Sequence, residues 1–238
     1  MLTVAVMPFY ERPLVTGFAM QSAKRIRGVD RLIAVGSTGT DFTTAERAGV
    51  EYRGVANAPL GSKWQACIKA ALEADADQIL LLSSDDWWEP DLLKRLSPYS
   101  HEYAMVAPRE WGLVDVSARE AYWMKYRYRW DGIGTGRLFN ARFIRDHLGG
   151  VLYTADAPRR GMDWFATKQI EENGGSVLAV KKALVVELKG CSGKQQIYHL
   201  GELLGSPLIW SEQVSSETPW AARVLREWGE WESKALQS

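Results

Sequence analysis

Residues 78–91 read QILLLSSDDWWEPD. An apolar run over 79–82 stops on Ser83 and Ser84, which set Asp85 beside Asp86. Two adjacent carboxylates at the end of a buried strand repel each other unless water screens them or a cation sits between them. A hard divalent cation such as Mg2+ takes oxygen ligands and keeps waters and substrate phosphates in the rest of its shell. The pair therefore suggests a metal–diphosphate site. The plainer alternative is a solvated turn followed by an N-cap aspartate. A second stretch with chemical potential is WMKYRYRW at 123–130. In a strand, Trp123, Lys125, Arg127 and Arg129 face one way and Met124, Tyr126, Tyr128 and Trp130 the other. Such a face can stack sugars or unpaired bases and meet phosphates. It can also be an amphipathic strand with its basic residues in water.

The elements that must position these residues follow from periodicity. Short β-rich runs at 3–7, 31–35, 51–55, 78–82 and 103–107 predict strands. Between them, 13–27, 44–48, 62–74 and 90–96 predict helices, with Pro13 and Pro90 near helix starts and Ser62 and Gln65 as a capping box. Strand–helix alternation with short connections predicts an α/β fold with a mostly parallel sheet covered by helices on both faces. Ligands bind at the carboxyl ends of the strands in such sheets. The strand exits at 8–12, 36–41, 56–63 and 83–88 should therefore converge. The second half is less regular. Helices are predicted over 141–148, 161–173 and 218–235, with strands at 177–180 and 183–187 and weak strand character at 123–130. The glycine-rich run 132–150 contains GxGxG but lacks the strand-to-helix context of a dinucleotide site.

Composition bounds the rest. The chain has 238 residues, enough for a sizeable core. Lys+Arg and Asp+Glu are both 29, so net charge gives no global attraction to nucleic acid or membranes. Eleven tryptophans are many for this length and suit both core packing and sugar or base stacking. Two cysteines, Cys67 and Cys191, without a CxxC pair make neither a disulfide framework nor a zinc knuckle. The first residues lack a basic segment ahead of their short apolar run, which is broken by Glu11, Arg12 and Pro13. No run reaches the ~18 apolar residues of a membrane span. The expectation is a soluble, cytoplasmic protein without stable membrane insertion.

Four segments in order carry a resemblance: VAVMPFYERP, LIAVGSTGTD, ANAPLGSKWQACIKAA and LLLSSDDWWEPDLL. Together they resemble the opening of the family 2 glycosyltransferases and their GT-A fold, over residues 3–95. The resemblance implies one domain, with a nucleotide-sugar-binding half at 1–107 and an acceptor and catalytic-base half at 108–238. It implies a divalent cation, Mn2+ or Mg2+, and a nucleotide-sugar donor, with a UDP-sugar favoured. Asp85 matches the second acid of the Asp-X-Asp motif as metal ligand, with Asp86 beside it on sugar or metal. Ser83 stands where the first acid belongs and can hydrogen-bond a ribose without adding charge. Pro8, Tyr10 and Glu11 match the donor-contacting turn after the first strand. Lys63 can meet a phosphate, and Trp64 can stack on a base or pack in the core. Val35 runs straight into Gly36-Ser37, so the aspartate that usually contacts the base is lost or displaced.

The resemblance also implies a catalytic base. Family members keep it in an acidic pair at a helix start; RRGMDWFATKQIEENGG offers Asp163, with Met162 in place of the preceding acid. A helix N-terminus keeps such a carboxylate ionised, which suits a base but also describes an ordinary first-turn aspartate. The outcome implied is inverting. Arg137 is a phosphate contact or a surface charge, and His199 a third metal ligand or a structural histidine. The acceptor is a hydroxyl on a saccharide or on a hydroxymethylated base in DNA. Two alternatives stand beside this reading: a degenerate nucleotide-sugar-binding module and a nucleotidyltransferase. PFYERPLV lacks the glycine-rich basic loop that a nucleotidyltransferase uses to hold a triphosphate.

Overall fold

The computed structural model describes residues 1–127, 131–158, 161–181, 183–191, 200–235 and 237. The expected alternation is present through the first half: β1 (Thr3–Pro8), α1 (Pro13–Ala23), β2 (Arg31–Gly36), α2 (Gly39–Ala48), β3 (Glu51–Gly54), α3 (Leu60–Glu73) and β4 (Gln78–Leu81). Then come β5 (Asp86–Trp88), α4 (Leu92–Leu96), β6 (Met105–Pro108), β7 (Glu110–Asp115), β8 (Glu120–Tyr126), β9 (Arg137–Asn140) and α5 (Ala141–Leu148). The chain continues through α6 (Met162–Glu172), β10 (Val177–Val180), β11 (Val185–Lys189), α7 (Leu200–Leu204), β12 (Ile209–Val214) and α8 (Pro219–Ala235).

A seven-stranded sheet runs β10-β6-β9-β4-β1-β2-β3. Only β9 is antiparallel to its neighbours, β4 and β6, so the sheet is mixed and mostly parallel. Alternating side chains serve its two faces, as the period of a strand requires. Val4, Val6, Ile33, Val35, Ile79 and Leu81 pack with α3, α5 and α6. Ala5, Met7, Ala34 and Leu80 pack on the other face with α1, α2 and α4. A second sheet, β12-β8-β7-β11-β5, lies under α8, where Trp87, Val114, Val186 and Leu188 meet Ala221, Val224 and Trp228. Both sheets draw on both halves of the sequence. β9 and β10 complete the first sheet, while β5 pairs with β11 in the second.

Several boundaries differ from the sequence expectation for local reasons. Helix α1 ends at Ala23 rather than 27. Helix α2 begins at Gly39, well before 44, because Thr38 and Asp41 form a capping box. Helix α3 starts at Leu60 with Pro59 as N-cap, so Ser62 and Gln65 form no capping box. Gln65 instead donates to Gly150 O and accepts from the amides of Leu152 and Tyr153, tying α3 to the second half. The glycine-rich run contains a strand, β9, and the aromatic stretch becomes β8, with residues 128–130 outside the described residues. No helix among the described residues is long and apolar enough to cross a membrane.

Candidate functional site

The strand exits do converge, and hydrogen bonds show how. Asp41, buried in the first turn of α2, accepts from the amides of Ser37 (2.7 Å), Thr38 (3.2 Å) and Glu11 (2.8 Å). It thereby fastens the exit of β1 to that of β2. Glu11 has φ 45°, a left-handed conformation unusual for a residue with a side chain, and this bond holds it there. The Lys63 ammonium donates to Phe9 O, Ser37 Oγ (2.9 Å) and Asn57 Oδ1 (3.0 Å), and lies 5.4 Å from the Tyr10 ring centre. Lys63 is 2% exposed, and burial lowers its pKa against the opposing pull of Asp41. Lys63, expected at a phosphate, directs its three N–H donors to the exits of β1, β2 and β3 in this structure. Pro8 and Tyr10 are half-buried at the same edge, and Glu11 is exposed.

The two aspartates have different partners. Asp85 lies in the turn before β5, where its Oδ2 accepts from Arg12 Nη1 at 2.9 Å. Arg12 Nη2 donates to Ser84 Oγ at 2.7 Å. Asp86 opens β5 opposite Glu187 of β11 and is 2% exposed. Burial, then the charges of Asp85 and Glu187, raise its carboxyl well above the usual carboxylate range, against the Thr135 hydroxyl and Lys189. Its Oδ2 has no hydrogen-bond partner. Lys189, also buried, reaches Glu187 Oε1 at 2.6 Å; burial would lower its pKa, but Glu187, Asp85 and Asp86 together raise it. The Ser83 amide donates to Thr135 Oγ1 at 3.1 Å.

A raised folded-state pKa means that the native chain holds the Asp86 proton more tightly than the unfolded chain. Stability therefore falls as pH rises from the unfolded carboxyl value, about 4, through the folded one. Asp86→Asn removes that penalty. The variant should melt above the parent at pH 7–8, with the difference shrinking towards pH 4; melting curves across that range check it.

Asp163 sits in the first turn of α6, its side chain 16% exposed. A Cβ on Gly134 would lie 3.0 Å from Asp163 Cβ, so the glycine lets the 133–136 loop approach the aspartate. The next residue is Thr135, bound to Ser83. This loop thus joins the turn carrying Asp85 to the helix start carrying Asp163. Arg137, at the start of β9, has no exposed surface. Its guanidinium donates to Asp131 Oδ2 (3.0 Å), Ile133 O (2.7 Å), Asp163 O (2.7 Å) and Thr167 Oγ1 (3.0 Å), and lies 3.9 Å from Asp163 Oδ2. Of the two expectations for Arg137, burial rules out a surface charge. Arg137 is an internal brace on the helix that presents Asp163.

Trp64 is half-buried and packs against the core, edge-on to Tyr153 at 5.4 Å. In β8, Met124 is buried while Lys125 is exposed, as the alternation requires, and Arg127 just past the strand is exposed too. The outward face carries Lys125 4.4 Å from the Trp210 ring centre and Trp123 5.9 Å from that of Trp220. His199 lies outside the described residues. Among the described residues, no group of three His, Cys, Asp or Glu side chains is placed to hold a metal ion. Sequence reasoning missed Arg12, Asp41, Asp131, Thr135 and the Glu187–Lys189 pair. Thr38-x-x-Asp41 has the spacing of a helix cap and was the one available signal.

No family model matches the chain, and no curated protein matches it. Solved structures do. TarS 1–349 of S. aureus superposes with a TM-score of 0.57 at 13% identity, over 79% of this chain and 60% of that one. Glucosyl-3-phosphoglycerate synthase from Mycobacterium tuberculosis, in complex with Mg2+ and UDP, gives 0.54 at 13% identity, over 82% and 73%. The 4-diphosphocytidyl-2C-methyl-D-erythritol synthase of Anaerococcus prevotii gives 0.53 at 13% identity, over 76% and 86%. The chain spans about three-fifths of the TarS piece. At these identities the likeness concerns the backbone, and the backbone has the GT-A fold.

Proposed function

We propose that the chain is a nucleotide-sugar-dependent glycosyltransferase, with its donor across the joined strand exits and Asp163 as the base. One observation carries this reading: the 133–136 loop binds the Ser83–Asp85 turn on one side and abuts Asp163 on the other. A diphosphate leaving group and a proton acceptor are thereby served by neighbouring segments. Pro8, Tyr10 and Glu11 wall the donor, and Ser83 offers a hydroxyl to its ribose. In the inverting step, the acceptor oxygen attacks C1 of the sugar from the face opposite the diphosphate. The C1–O bond to phosphate breaks, the diphosphate departs with the electron pair, and Asp163 takes the hydroxyl proton. The acceptor is a saccharide or a hydroxymethylated base in DNA, received against the outward face of β8. A UDP-sugar is the favoured donor, in keeping with UDP in the M. tuberculosis neighbour.

That neighbour also holds Mg2+. The residues of this chain do not fit a divalent ion as they stand. Asp85 is held by Arg12, Asp86 has almost no surface, and Ser83 brings no charge. No step is therefore assigned to a metal. The test is product analysis with panels of nucleotide-sugars and nucleoside triphosphates. Release of nucleoside diphosphate from one nucleotide-sugar is the expected result. Pyrophosphate release from a triphosphate would make the chain a nucleotidyltransferase, and no turnover despite nucleotide binding would make it a binding module.

A further inference from the structure

We infer that Arg12 is the cation that receives the donor diphosphate, so that nucleotide binding by this chain needs no divalent metal. The inference rests on the reading of the strand exits as a nucleotide-sugar site. It starts from the Arg12–Asp85 pair, which occupies the place where the motif's carboxylate would ligate a metal. A metal ion reaching Asp85 must displace the guanidinium and then stand beside it, like charge against like charge. It would find few further anionic oxygens, since Asp86 is buried in β5. Mg2+ demands near-octahedral oxygen coordination at close range, and one contested carboxylate is a poor start.

A guanidinium suits a diphosphate directly. Its planar fork matches phosphate oxygens and never loses its charge. Of its five N–H donors, Arg12 places one on Asp85 and one on Ser84. The side chain is 15% exposed, so it has a route to ligand. Its backbone is fixed on both sides. Glu11 is pinned by Asp41, and Pro13 opens α1. Asp85 then acts as a positioning residue that aims the fork rather than as a metal ligand.

The experiment is calorimetric titration of the whole chain with UDP, GDP, CDP and ADP, each in EDTA and in Mg2+ or Mn2+. It is repeated on Arg12→Gln and Arg12→Lys, with circular dichroism to confirm folding. One diphosphate should bind in EDTA with an affinity within about twofold of that in metal. Arg12→Gln should weaken it by about tenfold or more, from the loss of charge-assisted hydrogen bonds, and Arg12→Lys by less. Binding that requires metal would overturn the inference and leave the glycosyltransferase reading standing. Metal-free binding unchanged in a folded Arg12→Gln would overturn it too. Failure of every diphosphate to bind would remove the nucleotide site itself, and both readings with it.

Discussion

Asp163→Asn is expected to lower sugar transfer by about 10²–10⁴-fold, the range for loss of a general base. Nucleotide affinity and melting temperature should stay at parental values. The side chain and the backbone of residue 163 do different things. The backbone carbonyl of residue 163 accepts from Arg137 and is untouched by the substitution, while the carboxylate, 3.9 Å from the same guanidinium, becomes a neutral amide of the same shape. Asparagine is also well tolerated in a helix first turn. What it cannot do is take a proton. Steady-state rates with the donor identified above, beside calorimetry and melting curves, separate the effects. A rate that falls together with donor affinity would make Asp163 a binding residue. An unchanged rate would remove it from the mechanism.

The second large effect is on stability. Arg137→Met should cost about 3–5 kcal/mol, the usual penalty for removing one partner of a buried ion pair. For a chain of this size that is a fall of roughly 6–20 °C in melting temperature. The substitution leaves Asp131 charged with no exposed surface, and strips donors from Ile133 O, Asp163 O and Thr167 Oγ1. Replacing Asp131 with Leu in the same chain should recover part of the loss, because the buried charge that Arg137 balances goes with it. A drop below about 1 kcal/mol, the scale of exposed pairs, would mean that Arg137 is solvated and not a brace. Transfer should also suffer at temperatures where the variant is folded, since α6 loses the contact that holds the turn carrying Asp163.

The two variants mark how far the sequence could be read. Periodicity placed the strands of the first half because each is a compact apolar run ending on polar or turn-forming residues, as 79–82 ends on serines. It also placed the exits at one edge, and Arg12, Lys63 and Asp41 tie them there. What failed was fine placement of charge. Arg137 lies in a run of glycines, so nothing local announced a strand. Its burial depends on Asp131 and Thr167, and on strands β4 and β6 either side, contacts that no window of sequence contains. Lys63 reads as a helix-entry lysine that can meet a phosphate, because its acceptors come from three other loops. The different settings of the two aspartates are hidden from the sequence in a similar way. Adjacent carboxylates suggested one shared cation, yet β5 is a three-residue strand that carries Asp86 into the second sheet. Asp85 stays at the turn, where an arginine from 73 positions earlier meets it.

The central claim is that a nucleotide diphosphate binds where these exits meet. Hydrogen–deuterium exchange of the chain, with and without the diphosphate that binds in calorimetry, tests it most directly. The expected result is slowed exchange confined to 9–12, 36–41, 56–63, 83–86 and 133–136. Slowed exchange instead along the groove that Leu14, Gly17, Thr43, Arg47 and Trp231 line, with the strand exits unchanged, would contradict it.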